Sequence, residues 1–244
     1  MKLEICCFNL ASALIAQQAG AQRVELCASP AEGGTTPSAG VISVVRERLQ
    51  IALYPIIRPR GGDYLYSEEE FRVMQKEIEY CKNIGCDGVV IGVLNADGSV
   101  DKERGARLVE QAYPLGVTFN RAFDWAANPF EAMEDIIAIG CERILTSGQL
   151  PTAMEGITLI NELVRAADER IIIMPGSGVR SSNITTLMEK TEASEYHTSA
   201  RILRPSGMQF KSIGTGEDLS VVMADEAEIK NILERLTAAA VNRS

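Results

Sequence analysis

Residues 53–67 read Leu-Tyr-Pro-Ile-Ile-Arg-Pro-Arg-Gly-Gly-Asp-Tyr-Leu-Tyr-Ser, an apolar strand that runs into a polar loop. Pro59 lacks an amide donor and fixes φ, so regular strand pairing is predicted to stop there, and Gly61-Gly62 allows a sharp turn. Arg58 and Arg60 are two residues apart, so in an extended chain their side chains point to one face. The stretch predicts two guanidinium groups at the carboxyl end of a buried strand. Solvated surface arginines are the alternative.

Outward from this stretch, apolar segments with the length of β-strands alternate with helical segments, at about 30 residues per unit. A layout of helix end, glycine, turn and strand recurs around Gly20, Gly85 and Gly140. The predicted strands are residues 2–8, 23–27, the stretch from Leu53, 88–92, 116–119, 143–145, 171–174 and 195–197.

Capping residues mark the predicted helices between these strands. Asn9 caps a helix that Gly20 ends, and Ser67 with Glu70 forms a capping box for a long helix. Further helices are predicted to begin at Ser38, Asp101, Asn128-Pro129, about Glu155, near Ser181, and at Asp225 with Glu228.

Eight strand–helix units in 244 residues predict an α/β fold, a (β/α)8 TIM barrel that forms a single domain over residues 1–244. A doubly wound open sheet is the alternative. No Gly-x-Gly-x-x-Gly follows the first strand, which disfavours a dinucleotide-binding sheet.

The composition limits the partners. A net charge of −9 disfavours nucleic acid and anionic membranes, and no apolar run reaches membrane-spanning length. The amino-terminal segment lacks the long apolar region of a signal peptide, so a cytoplasmic protein is expected, with its six cysteines as thiols. His197 is the single histidine, which excludes a three-histidine zinc centre.

Alternation along the strands predicts a polar barrel interior. Apolar residues of strands one and two suit the layer under the helices, so the opposite set should face inward. This inward set is Glu4 and Cys6, Glu25 and Cys27, Thr118 and Asn120, Thr146, and Glu195, His197 and Ser199. Buried charges must be paired, and barrel enzymes place their sites at the carboxyl ends of the strands. A structural network, in which Glu4 and Glu25 pair with Arg58 and Arg60, is the alternative.

One functional interpretation is an enzyme that acts on a small phosphorylated or carboxylated metabolite. Arg58 and Arg60 would clamp the anion, and Glu25, Asp124 and His197 would transfer protons. The Gly176-Ser177-Gly178 loop resembles a phosphate cradle, because free amides and a helix dipole attract anions. Additional candidates for ligand binding are Glu4, Asn120, Arg121, Thr146, Ser147 and Ser199.

A second interpretation is a metal site. Adjacent strands lie about 4.8 Å apart, so inward thiols of Cys6 and Cys27 at matched height could share one soft ion. Thiolates select Cu(I) over hard cations, and no organic cofactor is indicated. Two inert buried thiols are the alternative.

Several segments together resemble the CutC family of copper homeostasis proteins. They are Val24–Cys27, Glu32–Ser38, Ile57–Asp63, Thr118–Asp124, Leu145–Gly148 and Glu195–Ala200, and the resemblance runs from about residue 3 to residue 211. It implies a (β/α)8 barrel, a cytoplasmic location, homo-oligomers and a role in Cu(I) binding. The copper ligands proposed for eukaryotic members fall on Cys6 and Cys27. The family's usual histidine on strand five is Asn120 here.

The residues therefore support two functions, a copper homeostasis protein with Cys6 and Cys27 as Cu(I) ligands, or a barrel enzyme. A homodimer or larger homo-oligomer is expected. Within the arginine-rich turn, we expect Arg58 to be the structural partner of the buried carboxylates and Arg60 to face the ligand.

Overall fold

The computed structural model describes residues 1–210, 214 and 216–241. Strands and helices alternate through most of the chain. In order they are β1 (Lys2–Cys7), α1 (Leu10–Ala19), β2 (Arg23–Leu26), α2 (Ala39–Arg48), β3 (Ala52–Pro55), α3 (Glu68–Asn83), β4 (Gly88–Ile91), α4 (Lys102–Ala112), β5 (Gly116–Phe119), α5 (Pro129–Ala138), β6 (Arg143–Thr146), α6 (Ile157–Ala167), β7 (Ile172–Pro175), α7 (Ile184–Thr191), β8 (Glu195–Thr198), β9 (Arg201–Arg204), β10 (Val221–Ala224) and α8 (Glu226–Val241).

The first eight strands form the barrel. Two parallel sheets have the orders β3-β2-β1-β8 and β4-β5-β6-β7. A parallel bridge between Ile56 and Val90 joins β3 to β4, and β7 lies beside β8 on the other side. The neighbours follow chain order and the last strand returns to the first, so the predicted (β/α)8 barrel is confirmed and the open doubly wound sheet is wrong.

Helix ends follow the capping residues. Asn9 Oδ1 accepts from Ser12 N, and Gly20 ends α1 with φ of 100°. Ser67 and Glu70 form the predicted capping box of α3. The boundaries of α6 and α7 are displaced by two or three residues from those predicted, because neither helix has a side-chain cap.

The final helix has half of its predicted cap. Asp225 Oδ1 accepts from the amides of Ala227 and Glu228. The Glu228 carboxylate, however, accepts from the amide and hydroxyl of Ser181. It therefore ties α8 to the loop before α7 instead of completing a capping box.

The antiparallel pair of β9 and β10 was not predicted. It lies between β8 and α8, and all four residues of β9 are exposed. Strands of four residues without a tight-turn sequence between them leave no hairpin signal. No helix in the described residues has the length and hydropathy needed to span a membrane.

Alternation along β1 and β2 separates two apolar layers. Leu3, Ile5 and Val24 belong to the large core between strands and helices. A small inner cluster contains Cys27 and Tyr54, with Cys6 packed against it. The predicted assignment of faces for β1 and β2 is therefore confirmed.

Two glycines make room for the Tyr54 ring inside the barrel. A Cβ atom on Gly88 or Gly116 would overlap the Tyr54 side chain. The ring in turn lies under two guanidinium groups, with the Cζ of Arg23 5.2 Å and that of Arg143 5.4 Å from its centroid. The glycines at the start of β4 and β5 thus leave the space inside the barrel that the Tyr54 ring fills.

Candidate functional site

A cavity of about 600 Å³ opens at the carboxyl ends of the barrel strands. Cys6, Glu25 and His197 line its floor side, and loops after β3, β5 and β7 contribute its walls. A second concavity of about 770 Å³ lies between α2 and α3, where helix-surface side chains line it. The barrel mouth is the candidate site because the buried polar groups converge there.

A chain of buried ion pairs lies below this cavity. Arg23 pairs with Glu4 through its Nε, and its NH2 group donates to Glu195 Oε2 at 2.6 Å. Arg143 Nε donates to the same Glu195 oxygen at 3.2 Å. All four residues are at most 5% exposed, so each charge depends on its partners.

The guanidinium groups inside the barrel are therefore those of Arg23 and Arg143. The predicted pairing of Glu4 and Glu25 with Arg58 and Arg60 is wrong. Arg23 begins β2 two residues before Glu25, so alternation places both side chains on the same inward face. Arg143 begins β6, and its NH1 also donates to Thr118 Oγ1 at 3.1 Å.

His197 connects the ion pairs to the cavity. Its Nδ1 lies 2.6 Å from Glu4 Oε1, and its Nε2 lies 3.7 Å from Glu25 Oε2. Burial alone would raise the pKa of Glu4, but Arg23 and His197 lower it to about 2. Burial opposes charge on the imidazole, yet Cys6, Glu4 and Glu25 hold the pKa of His197 well above its usual value. The Glu4 carboxylate thus accepts a hydrogen bond from a protonated Nδ1.

The thiols of Cys6 and Cys27 lie together beside this histidine, with their Sγ atoms 3.5 Å apart. Cys6 is opposite Glu25 in the β1–β2 register, so the two cysteines are not direct neighbours. Strand tilt and shear bring their sulfurs together, since residues at one height of a barrel are offset in register. The sequence predicted that the two thiols lie at the same height in the barrel, and the register offset between β1 and β2 brings them there.

The two thiols differ in acidity. The hydrogen bond with Cys27 lowers the pKa of Cys6 to about 6, against the effect of burial and with help from His197. Burial and Cys6 raise the pKa of Cys27 well above its usual value. Burial, together with the charge of Cys6, also raises the pKa of Glu25 well above the usual range. These surroundings therefore favour the ionised form of Cys6 and the protonated form of Glu25.

Two groups of side chains have metal-ligand spacing within the described residues. They are Cys6, Glu25 and Cys27, and Glu4, Glu25 and His197, with the potential ligand atoms of each group within 4.8 Å of one another. The second group is tied to Arg23 through Glu4. The first contains two sulfurs, which suit a soft cation.

Arg58 supports the loops around the cavity. Its NH1 group donates to the carbonyls of Glu32 at 2.7 Å and Gly34 at 2.8 Å, and its NH2 group donates to that of Gly62 at 2.7 Å. Its guanidinium also lies over the Tyr64 ring, 4.8 Å from the centroid. Arg58 is structural, as expected, but through backbone carbonyls instead of buried carboxylates.

Arg60 is not among the residues that line the cavity, so the structure does not bring it to the place where a ligand-facing residue was expected. It pairs with Glu70 at 2.5 Å and with Asp63 at 2.9 Å, and its side chain is 38% exposed. The turn at Gly61-Gly62 carries the chain away from the strand direction, so the alternation that placed Arg60 beside Arg58 ends at Pro59.

Asp124 has a structural position below the rim. Its carboxylate accepts from Thr146 Oγ1 at 2.5 Å and from Ser147 Oγ at 2.9 Å, and Arg121 Nε donates to it at 2.7 Å. These bonds join the loop after β5 to the end of β6. Thr146 therefore serves this junction and is not part of the cavity wall, where Leu145 lies instead.

Of the other predicted site residues, some line the cavity and some support it. Gly176 is a supporting residue, because a Cβ there would approach Leu145 and His197. Predicted residues that line the cavity are Cys6, Glu25, Arg58, Asn120, Arg121, Gly178, His197 and Ser199. Those outside its lining are Glu4, Cys27, Arg60, Asp124, Thr146, Ser147 and Gly176. Their catalytic and ligand-binding roles stay predictions.

Known proteins resemble the chain over most of its length. Residues 1–202 match the model of the CutC family. A Chromobacterium violaceum family protein CutC is 50% identical over 220 residues, covering 90% of this chain and 89% of that protein. The human copper homeostasis protein cutC homolog is 46% identical over 220 residues, covering 89% and 81%.

Solved structures agree on the fold. The putative copper homeostasis protein CutC from Streptococcus agalactiae aligns with a TM-score of 0.78 and 32% identity, covering 82% of this chain and 98% of that one. Phosphoribosyl anthranilate isomerase from Thermotoga maritima aligns with a TM-score of 0.62 at 14% identity, covering 98% of this chain and 99% of that one. The isomerase shares the barrel alone.

Replacing the two arginines of the turn should have unequal effects on stability. Arg58→Met leaves three loop carbonyls without their donor, and we expect a loss of about 3 kcal/mol in the free energy of unfolding. Arg60→Met removes only exposed ion pairs and should cost less than about 1 kcal/mol. Thermal melts at fixed pH, without phosphate or sulfate, measure both. A larger loss for Arg60→Met would reverse these roles.

Acid should weaken the buried ion pairs. Burial opposes the charge of Glu195, but Arg143 and Arg23 lower its pKa below the usual value of 4.5. The pKa of Glu195 is lower in the folded chain than in the unfolded chain. The carboxylate therefore stabilises the fold fully above the unfolded value of 4.5, and this contribution is lost as the pH falls through the folded-state pKa. Glu195→Gln should thus be clearly less stable than wild type at pH 7, by about 3 kcal/mol or more.

That difference should shrink in urea unfolding well below pH 4.5, the usual value of a glutamate. Glu134→Gln is the control, since Glu134 forms an exposed pair with Arg170. The control should differ little from wild type at either pH. A difference between wild type and Glu195→Gln that stays constant with pH would contradict the expected titration.

Proposed function

The chain belongs to the CutC family, and from that premise we propose that it is a copper homeostasis protein that binds Cu(I) through the thiolates of Cys6 and Cys27. The observation that carries the proposal is the separation of 3.5 Å between the two Sγ atoms, of which that of Cys6 belongs to a residue that lines an open cavity. The human relative is named a copper homeostasis protein, which supports the same proposal.

The spacing of the sulfurs suits a shared ion. Metal–thiolate bonds of about 2.3 Å, as at zinc, let two sulfurs on one ion lie up to about 4.6 Å apart. The pair in this chain is within that span, so binding needs little movement of β1 or β2. Cys6 is half-buried and lines the cavity, which gives the ion a path from solvent.

The chemistry of the site favours a soft monovalent cation. Thiolates select Cu(I) over Mg²⁺ or Ca²⁺, and the low pKa of Cys6 supplies a thiolate at neutral pH. Cys27 would release its proton as the ion binds. A cytoplasmic location, which we also propose, would keep both the thiols and Cu(I) reduced.

Titration of reduced protein with Cu(I) against a competing chelator tests this function. Wild type should bind one Cu(I) per chain, and Cys6→Ala/Cys27→Ala should lose that site. Cys7→Ala is the matched control, because Cys7 follows Cys6 directly but is buried in the layer under the helices. Equal affinities for wild type and the double variant would remove the proposal, and an equal loss in Cys7→Ala would show that the site is not this pair.

We also propose that the protein is a homodimer or a larger homo-oligomer. Support comes from exposed apolar side chains on and near the β9–β10 pair, namely Leu203, Phe210, Leu219 and Val221. Sedimentation velocity at micromolar concentration should show a species of at least twice the mass of one chain. A single monomer of 244 residues would contradict this assembly.

A further inference from the structure

The cavity is larger than a bound ion requires. A single cation between Cys6 and Cys27 would occupy a small part of its volume of about 600 Å³. Cavities of about 300–1,000 Å³ are typical of sites for small organic molecules. The remaining volume faces a wall whose polar groups the Cu(I) proposal does not use.

Two guanidinium groups on this wall lack ionic partners. Arg180 follows β7 and Arg201 begins β9, and both line the cavity. Neither has a carboxylate within 4 Å among the residues that the structure describes, whereas Arg23, Arg143 and Arg60 each have two. The whole chain carries a net charge of −9, so the positive charge of these two arginines is opposite in sign to that of the protein as a whole.

The loop between β7 and α7 adds backbone donors on the same side. No acceptor among the described residues takes the amides of Ser177, Gly178 and Val179, which follow one another at the cavity. Ser177 and Gly178 have φ of 72° and 71°. Successive unpaired amides in such a turn form a concavity that binds anions.

An unsatisfied donor lies across the cavity at the end of β5. Asn120 is 3% exposed and lines the cavity, and its Nδ2 has no hydrogen-bond partner among the described residues. Its Oδ1 accepts from the Ala122 amide at 2.8 Å, which fixes the orientation of the side chain. A buried amide N–H without an acceptor is costly, so this group fits a ligand that supplies an oxygen.

Aromatic side chains complete the enclosure. Phe8, Tyr64 and Trp125 all line the cavity, and Trp125 is 74% exposed at its rim. They add apolar surface to the lining that contains Arg180, Arg201 and Asn120. The ligand that matches these surroundings has one anionic group, a short carbon skeleton and a second oxygen that accepts a hydrogen bond.

We propose that the cavity binds a small organic anion, a hydroxy acid or a phosphate ester. Its carboxylate or phosphate binds Arg180, Arg201 and the amides of residues 177–179, and its second oxygen accepts from Asn120 Nδ2. This binding function goes beyond the Cu(I) proposal and does not depend on it. The proposed anion clamp thus lies after β7 and at β9, whereas Arg60 is outside the cavity lining and the NH1 and NH2 groups of Arg58 bind loop carbonyls.

Fluorescence of Trp125, the single tryptophan of the sequence, reports on the rim directly. We would titrate metal-free, reduced protein with glycerate and with glycerol 3-phosphate at constant ionic strength. Inorganic phosphate and glycerol are the minimal probes, because each carries only part of the proposed ligand. At least one of the two organic anions should bind saturably in the millimolar range or below, and more tightly than inorganic phosphate or glycerol. Which of them binds more tightly distinguishes a carboxylate from a phosphate ligand.

Four variants locate the binding. Arg180→Gln and Arg201→Gln should each weaken the preferred anion by about tenfold or more, because a charged hydrogen bond is lost. Asn120→Asp keeps the Oδ1 cap of Ala122 but removes the donor, and should weaken it similarly. Arg165→Gln is the control, since Arg165 is exposed in the last turn of α6 and loses the same charge away from the cavity. Circular dichroism melts establish that each variant is folded.

Three results would overturn the proposal. They are no saturable binding of either organic anion, wild-type affinity in both Arg180→Gln and Arg201→Gln, and an equal weakening in Arg165→Gln. Cys6→Ala/Cys27→Ala should retain anion binding, because Arg180, Arg201 and the amides of residues 177–179 are unchanged, and this result separates the anion-binding wall from the Cu(I) site in the same cavity. A failure in either titration then leaves the other proposal standing on its own data.

Discussion

Arg23 lies between two buried carboxylates, those of Glu4 and Glu195, at the centre of the barrel. Charges in such a place are tolerated only when they are paired and hydrogen-bonded, and the loss of one partner leaves the others exposed to a large desolvation cost. Arg143 completes the pairing of Glu195, and the Tyr54 ring lies against both guanidinium groups. The charges of Arg23, Arg143, Glu4 and Glu195 therefore compensate one another inside the barrel.

This arrangement also sets the chemistry above it. Arg23 fixes Glu4, and Glu4 fixes Nδ1 of His197, so that Nε2 points toward Glu25. The positive imidazole then helps to stabilise the Cys6 thiolate. A structural network and a functional site were alternatives when only the sequence was considered. In the folded chain the ion-pair network lies below the candidate site, and contacts through Glu4 and His197 join the two.

The polar groups in the loops at the barrel mouth are of two kinds. Some bind neighbouring loops and strands, and others face the cavity without a partner among the described residues. The NH1 and NH2 groups of Arg58 donate to backbone carbonyls, and Asp124 accepts from the end of β6. Arg180, Arg201 and Asn120 Nδ2 have no such partners in the described part of the chain. Because internal partners are made wherever the fold needs rigidity, the donors left without partners mark the wall that can accept a ligand.

The sequence by itself determined the repeating units, the helix caps and the inward face of the first two strands. Glycine spacing, the Asn9 cap and the alternation of Glu4 with Cys6 are local signals, so they do not depend on what packs beside them. Only the tertiary structure decided the partners. Glu4 contacts His197 from 193 positions away, and Arg143 reaches Glu195 across the barrel. Closure of the barrel and the offset between its strands fix such contacts, and neither is encoded in the spacing along a single strand.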